Sequence, residues 1–308
     1  MKKALAFSYA AILTVWCMTV SAEDGQNIER RIDPLVSTEW LENHIDDPNL
    51  AVIDIRSAEE YSKGHIPESV NVSTENWWVT RNQLLLELPD PDTLRAIIGR
   101  AGIRPDSKVV LVNKTDSDFE RSHAPYVGWT LIYGGVKNVA ILDGGYNKWI
   151  SENRVVSKKE FIPREETYTG AFQEGILASK QYVERNLSDP RNTAIVDSRS
   201  PEDFFGVTPM MLSSKSGHIP GAVCLPAAWA FTAKGTFREL KELEAMAQGV
   251  VGSDRGKQII VYCGVGGFAS TWWFIFSEML GYRDVRLYNG SIQEWTMDPQ
   301  APLERYRW

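Results

Sequence analysis

Cysteine and histidine are scarce in this 308-residue chain, which holds three of the first and four of the second. None of them cluster at metal-ligand spacing, so a bound metal or other cofactor is not expected. Excess positive charge is also missing, and a formal net charge of −7 argues against a nucleic-acid partner. Beyond residue 22 no apolar run is long enough to cross a bilayer. With 43% hydrophobic and 24% charged residues the composition is that of a soluble globular protein. The length suits two domains of ordinary size, each with its own core.

The one long apolar stretch is N-terminal. Lys2 and Lys3 precede a mostly apolar run over residues 4–20, and Val20-Ser21-Ala22 offers a small-residue cleavage site, which is the pattern of an export signal. A membrane anchor is disfavoured because the run is short and carries Ser8, Thr14 and Thr19. Lipid attachment at Cys17 is disfavoured by the bulky Trp16 before it. Loss of residues 1–22 would give a periplasmic or secreted protein, free of the membrane, with Cys224 and Cys263 remaining. A disulfide between those two is not expected. Cys224 sits in the short apolar strand Ala222-Val223-Cys224-Leu225, and pairing would disable the loop that Cys263 opens.

That loop organises the chain. Gln258-Ile259-Ile260-Val261-Tyr262 is apolar, β-branched and stopped by glycines, so it reads as a buried strand with Cys263 at its carboxyl end. Gly264-Val265-Gly266-Gly267-Phe268 is too glycine-rich for regular structure, and residues 269–280 form an apolar helix beginning at Ala269. Backbone N–H groups converging at a helix start favour an anion, so a thiolate at Cys263 is expected to be stabilised and its pKa lowered. The glycines supply positive φ where the turn needs it. The bland alternative is a buried structural thiol. A second is dinucleotide binding, because residues 264–269 also fit G-x-G-x-x-A. That reading needs an acid at the end of the next strand, and the candidate, Asp284, precedes the strand at residues 285–288.

The order of elements occurs twice. Val52-Ile53-Asp54-Ile55-Arg56 corresponds to Ile195-Val196-Asp197-Ser198-Arg199, and Gly64-His65-Ile66-Pro67 to Gly217-His218-Ile219-Pro220. The strand ending at Asn113 corresponds to the one ending at Cys263, and Leu142-Asp143-Gly144-Gly145 to Leu287-Tyr288-Asn289-Gly290. Alternating strands and helices imply two α/β domains with mainly parallel sheets, over residues 30–157 and 175–308, joined by a polar linker at 158–174. In the first domain residues 34–41 read as a short helix capped by Ser37 or Thr38, and residues 124–133 as an apolar helix after an acidic loop. Asn113 is no nucleophile, so the chemistry belongs to the second domain and the first covers the cleft. His65 and His218 fall in matching turns and read as packing residues. Trp272-Trp273 reads as core, and Trp77-Trp78 as core or cleft lining.

These motifs resemble the tandem-domain rhodaneses, the thiosulfate and 3-mercaptopyruvate sulfurtransferases, over nearly the whole chain after the signal. The resemblance implies that Cys263 takes a sulfane sulfur as a persulfide and passes it to cyanide, a thiol or a protein acceptor. It implies that Gly264, Val265, Gly266, Gly267, Phe268 and Ala269 form the binding loop. Arg199 would then bind a substrate carboxylate, or else pair with Asp197 or Asp203. The loop departs from thiosulfate-type patterns in having no basic residue, which leaves a doubly charged donor to backbone groups and arginines such as Arg238. Val265 departs from the mercaptopyruvate type, and Phe205 stands where a second substrate arginine often occurs. Ala269 stands where phosphatases of this fold need arginine, which argues against that activity. The rival class is a rhodanese-like module that binds or carries sulfur without turnover.

Overall fold

The computed structural model describes residues 30–208 and 215–308. The export signal read at residues 1–22, Cys17 included, lies outside them. The first half contains β1 (Leu35–Val36), α1 (Thr38–His44), β2 (Leu50–Asp54), α2 (Ala58–Lys63), β3 (Ser69–Asn71), β4 (Val79–Arg81), β5 (Leu84–Glu87), α3 (Pro91–Arg100), β6 (Lys108–Val112), α4 (Asp118–Tyr133), β7 (Asn138–Leu142) and α5 (Gly145–Ser151). The second contains α6 (Lys180–Asn186), β8 (Thr193–Asp197), α7 (Pro201–Phe205), β9 (Val223–Cys224), α8 (Leu240–Val251), β10 (Gln258–Tyr262), α9 (Ala269–Phe274), β11 (Asp284–Leu287) and α10 (Ser291–Met297).

Two parallel sheets result, ordered β1-β7-β6-β2-β3 and β11-β10-β8-β9, with β4 and β5 as a separate antiparallel hairpin. A single parallel bridge, Leu177 to Leu287, stands where β1 stands in the first half. The strands read as continuous apolar runs because both faces of each sheet are covered. Along β6 and β10 side chains alternate between cores. Val109 and Leu111 join Ile259 and Val261 in one cluster, whereas Val110 and Val112, and Ile260 and Tyr262, face separate outer cores. The inner cluster also takes Trp129 of α4 and Trp272 and Phe274 of α9. Each half therefore has an outer core of its own, and the two share an inner one.

Several elements differ in detail from the sequence reading. Residues 35–36 pair with Ile141 and Leu142 as a strand, and the helix starts only at Thr38, with Ser37 Oγ accepting from Trp40 N at 3.0 Å. The helix expected at residue 124 begins at Asp118, because Ser117 Oγ caps Glu120 N; the Ser-x-x-Glu pattern of a helix start was present in the acidic stretch. The segment 269–280 is α-helical only to Phe274 and continues as a π-turn over Ile275–Met279. The last strand begins at Asp284, which stays at its amino end, away from where a ribose-binding acid would stand. Cys224 is half-buried and both described cysteines are free.

Each half extends a loop over the strand ends of the other. The β4–β5 hairpin turns through Asn82 and Gln83, both at positive φ, the geometry of the two-residue turn that matches strand twist. It meets the second half through paired bonds, Leu85 N to Gln293 Oε1 at 3.0 Å and Gln293 Nε2 to Leu85 O at 2.8 Å. In return, Phe237 N donates to Asp143 Oδ1 at 2.9 Å, and Gly235 lies against Thr115.

Candidate active site

Cys263 leaves β10 into a turn that Gly266 makes sharp. Gly266 has φ +93°, and a Cβ there would collide with Asn289 Oδ1 and lie 2.9 Å from the Asn289 carbonyl oxygen. It is the loop glycine that uses the left-handed region; Gly264 and Gly267 do not. The Gly266 N–H donates to Cys263 Sγ at 3.1 Å, and the N–H groups of Val265 and Ala269 also face the sulfur. No side chain caps the start of α9, so the sulfur takes the place of a cap. The loop is held from below by α10: Cys263 N donates to Ser291 Oγ at 3.1 Å, and Gln293 N to Gly264 O at 3.1 Å. Gly266→Ala is expected to cost about 2 kcal/mol of stability through forced strain. It should also lower sulfur uptake at least tenfold, read by denaturant titration beside intact mass.

The expected fall in the Cys263 pKa is not what the surroundings produce. Burial pushes it above the ordinary thiol value, and the N–H groups of Ala269, Val265 and Gly266 recover only part of the rise, while Asp197 adds to it. Cys263 is 1% exposed, which is why desolvation dominates. The neutral thiol is thus the resting form. The folded pKa lies above the unfolded one, so this contribution to stability is complete below the unfolded value and is lost as pH rises through the folded value. Alkylation of Cys263 by iodoacetamide should therefore keep accelerating past pH 8.5, about where an ordinary thiol begins to level off; a plateau below that would contradict the environment described.

Beside Cys263 lies a cavity of about 660 Å³ lined from both halves. The first half contributes Trp78, Thr80, Leu85, Leu86 and Phe119, and the second Arg199, Asp203, Thr208, Cys263, Gly264, Val265, Gly267 and Phe268. The first domain thus covers the cleft, as its missing nucleophile suggested. Leu86 carries φ +55°, a costly conformation for leucine, fixed where its carbonyl accepts from Tyr126 Oη at 2.6 Å and Asn289 Nδ2 at 2.9 Å. Phe119 and Phe268 meet edge to face across the two halves at 6.3 Å. Of the tryptophan pair, Trp77 is core and Trp78 lines the cavity; Trp272 and Trp273 are both core.

Arg199 borders this cavity while held from behind. Nε lies 3.0 and 3.1 Å from the two Asp197 carboxylate oxygens, Nη2 lies 2.5 Å from Oδ2, and Nη2 also donates to Gly217 O at 2.8 Å. Burial would lower its pKa; Asp197 more than offsets that, so the guanidinium stays charged. Arg56 repeats the arrangement with Asp54 and Gly64 O, at the same three carboxylate distances. The pair is therefore part of the repeated fold, and only the second copy faces a cavity with a cysteine. Arg238 is not among the lining residues. Its Nε donates to Trp229 O at 2.8 Å and its Nη1 lies 3.6 Å from Glu242 on the exposed surface.

In the first half, the position of the sulfur is filled by an amide. Asn113 Nδ2 donates to the carbonyls of Lys114 and Glu120, both at 2.8 Å, so oxygens point inward where the second half presents N–H groups. Lys114 lies among Glu60, Asp116 and Glu120. His65 and His218 are buried and stack on Tyr61 and Phe204, in keeping with packing roles. Among the described residues no cluster of histidine, cysteine, aspartate or glutamate has the arrangement of a metal site. The hairpin, Asn289 and Gln293 escaped the sequence reading. Leu84-Leu85-Leu86 in a polar stretch is the available signal for the first; Asn289 stands in the repeated turn at 287–290 without a sign of its role, and nothing local marks Gln293.

The rhodanese-like domain pattern matches the chain twice, over residues 37–152 and 179–298. The protein belongs to the rhodanese family, as a tandem-domain member. The chain is 29% identical over 277 residues to the sulfur carrier protein TtuD of Thermus thermophilus, covering 85% of this chain and 93% of that one. It is 31% identical over 290 residues to a Haloferax volcanii protein named "Putative thiosulfate sulfurtransferase", covering 89% and 96%. Among solved structures it superposes on YnjE with a TM-score of 0.79 at 24% identity, covering 89% of this chain and 69% of that one. It also matches the anaerobic ergothioneine biosynthesis enzyme of Chlorobium limicola with a TM-score of 0.77 at 22% identity, covering 89% and 71%. Those two likenesses concern the fold.

Proposed function

We propose that the protein is a sulfurtransferase in which Cys263 accepts a sulfane sulfur as a persulfide and hands it to a small thiophile such as cyanide or a thiol. The observation that carries this is the set of N–H groups from Val265, Gly266 and Ala269 about Cys263 Sγ, at the edge of a cavity large enough for donor and acceptor. A persulfide is a stronger acid than its parent thiol. Its outer sulfur carries the charge, so the amides are matched to the loaded enzyme more than to the resting thiol. Naming a relative as a thiosulfate sulfurtransferase supports sulfur transfer as the class. The export signal, if cleaved, sets the protein in the periplasm or outside the cell.

The test is to supply thiosulfate or 3-mercaptopyruvate with cyanide and follow thiocyanate, with intact mass reporting one added sulfur. Loading followed by thiocyanate release is the expected result. A second reading, a carrier that keeps its sulfur for a protein acceptor, is favoured by the likeness to the Thermus sulfur carrier. Loading without turnover on small acceptors would decide for it.

A further inference from the structure

We propose that the cavity selects a sulfane donor with an apolar body and a single negative charge over the small dianion thiosulfate, an inference that rests on the persulfide chemistry above. Thiosulfate presents two charges on five heavy atoms. The cavity, at about 660 Å³, falls in the range of about 300–1,000 Å³ typical of sites for much larger organic ligands. Its walls are Trp78, Leu85, Leu86, Phe119, Val265 and Phe268.

The charges present point the same way. Among the described residues Arg199 is the cation of the lining, and its Nε and Nη2 are engaged by Asp197 and Gly217 O. Asp203 lines the same cavity, so with Asp197 behind it the local balance is one positive group against two negative ones. Lys215, the next basic residue, donates to the carbonyls of Asp298 and Pro299. A dianion entering here loses its water without gaining a matching cation, whereas an aryl group gains contact with Trp78, Phe119 and Phe268. Phe268 is decisive in place, since it ends the loop that opens at Cys263 and meets Phe119 across the cleft.

Benzenethiosulfonate has the required form. Cys263 loses its proton to solvent and its sulfur attacks the terminal sulfur of the donor. The sulfur–sulfur bond to the sulfonyl group breaks, and its electron pair leaves with benzenesulfinate. The transferred atom becomes the outer sulfur of the persulfide, and no separate oxidant or reductant is needed.

The experiment measures the second-order rate of persulfide formation by intact mass with benzenethiosulfonate and with thiosulfate, each divided by the rate for a small free thiol in the same buffer. The normalised rate should favour benzenethiosulfonate by about tenfold or more, the effect of burying one ring face. Phe119→Ser, at a position 49% exposed, and Trp78→Ala should each reduce that preference at least about threefold. Phe268→Arg should raise the thiosulfate rate. A normalised ratio at or below one, with Cys263 still loaded, overturns the inference and leaves sulfur transfer standing. No loading by either donor overturns both.

Discussion

Replacing Cys263 with serine is expected to abolish sulfur uptake and to lower thiocyanate formation by about 10³-fold or more, the scale seen when a covalent nucleophile is removed. Serine is close to isosteric and keeps the Gly266 N–H supplied with an acceptor, so the loop should stay folded; the wild-type contact is 3.1 Å. Cys224, the other described cysteine, supplies the control. Burial pushes its pKa up to about 12, so it is a poor nucleophile at neutral pH. Cys224→Ala should load sulfur at the wild-type rate. If Cys263→Ser still gained one sulfur atom per chain, Cys263 would not be the residue that takes it.

Removing either repeated arginine is expected to cost about 3–5 kcal/mol, because it strands a buried carboxylate. Asp54 and Asp197 are both fully buried, and the three arginine–carboxylate distances agree between the copies. Arg56→Leu and Arg199→Leu should therefore lower the unfolding free energy by similar amounts in urea titration. Arg56 also lies 3.5 Å over the Tyr146 ring. Activity separates the two. Measured well below the denaturation midpoint, Arg56→Leu should keep its rate, while Arg199→Leu should lose about tenfold with 3-mercaptopyruvate, one charge-assisted contact's worth. Equal activity loss in both variants would mean that the second copy has no role beyond the fold.

The repeat, the parallel sheets and the position of Cys263 were legible because each rests on a local signal. The β-branched run 258–262 ends at glycines, and the Asp-x-Arg strand ends recur within matching patterns. What escaped was set by groups distant in sequence. The Cys263 loop looked electropositive from its own residues, yet its burial depends on the hairpin that brings Leu85 and Leu86 across from the other half. The amides were read correctly and the desolvation was invisible. The sequence allows Arg199 either a substrate role or an ion pair. The structure shows the pair, and its twin at Arg56 supplies the reason for it. The early start of α4 was missed for another reason: the Ser117 and Glu120 pattern was in plain view but lay in an acidic stretch read as a loop.

The loops exchanged across the midline make each half scaffolding for the other's strand ends, Leu85 meeting Gln293 and Phe237 meeting Asp143. The first half thus serves the second without a nucleophile of its own, since Asn113 stands where Cys263 stands. Deleting that half would strip one face from the working sheet and unroof its cysteine.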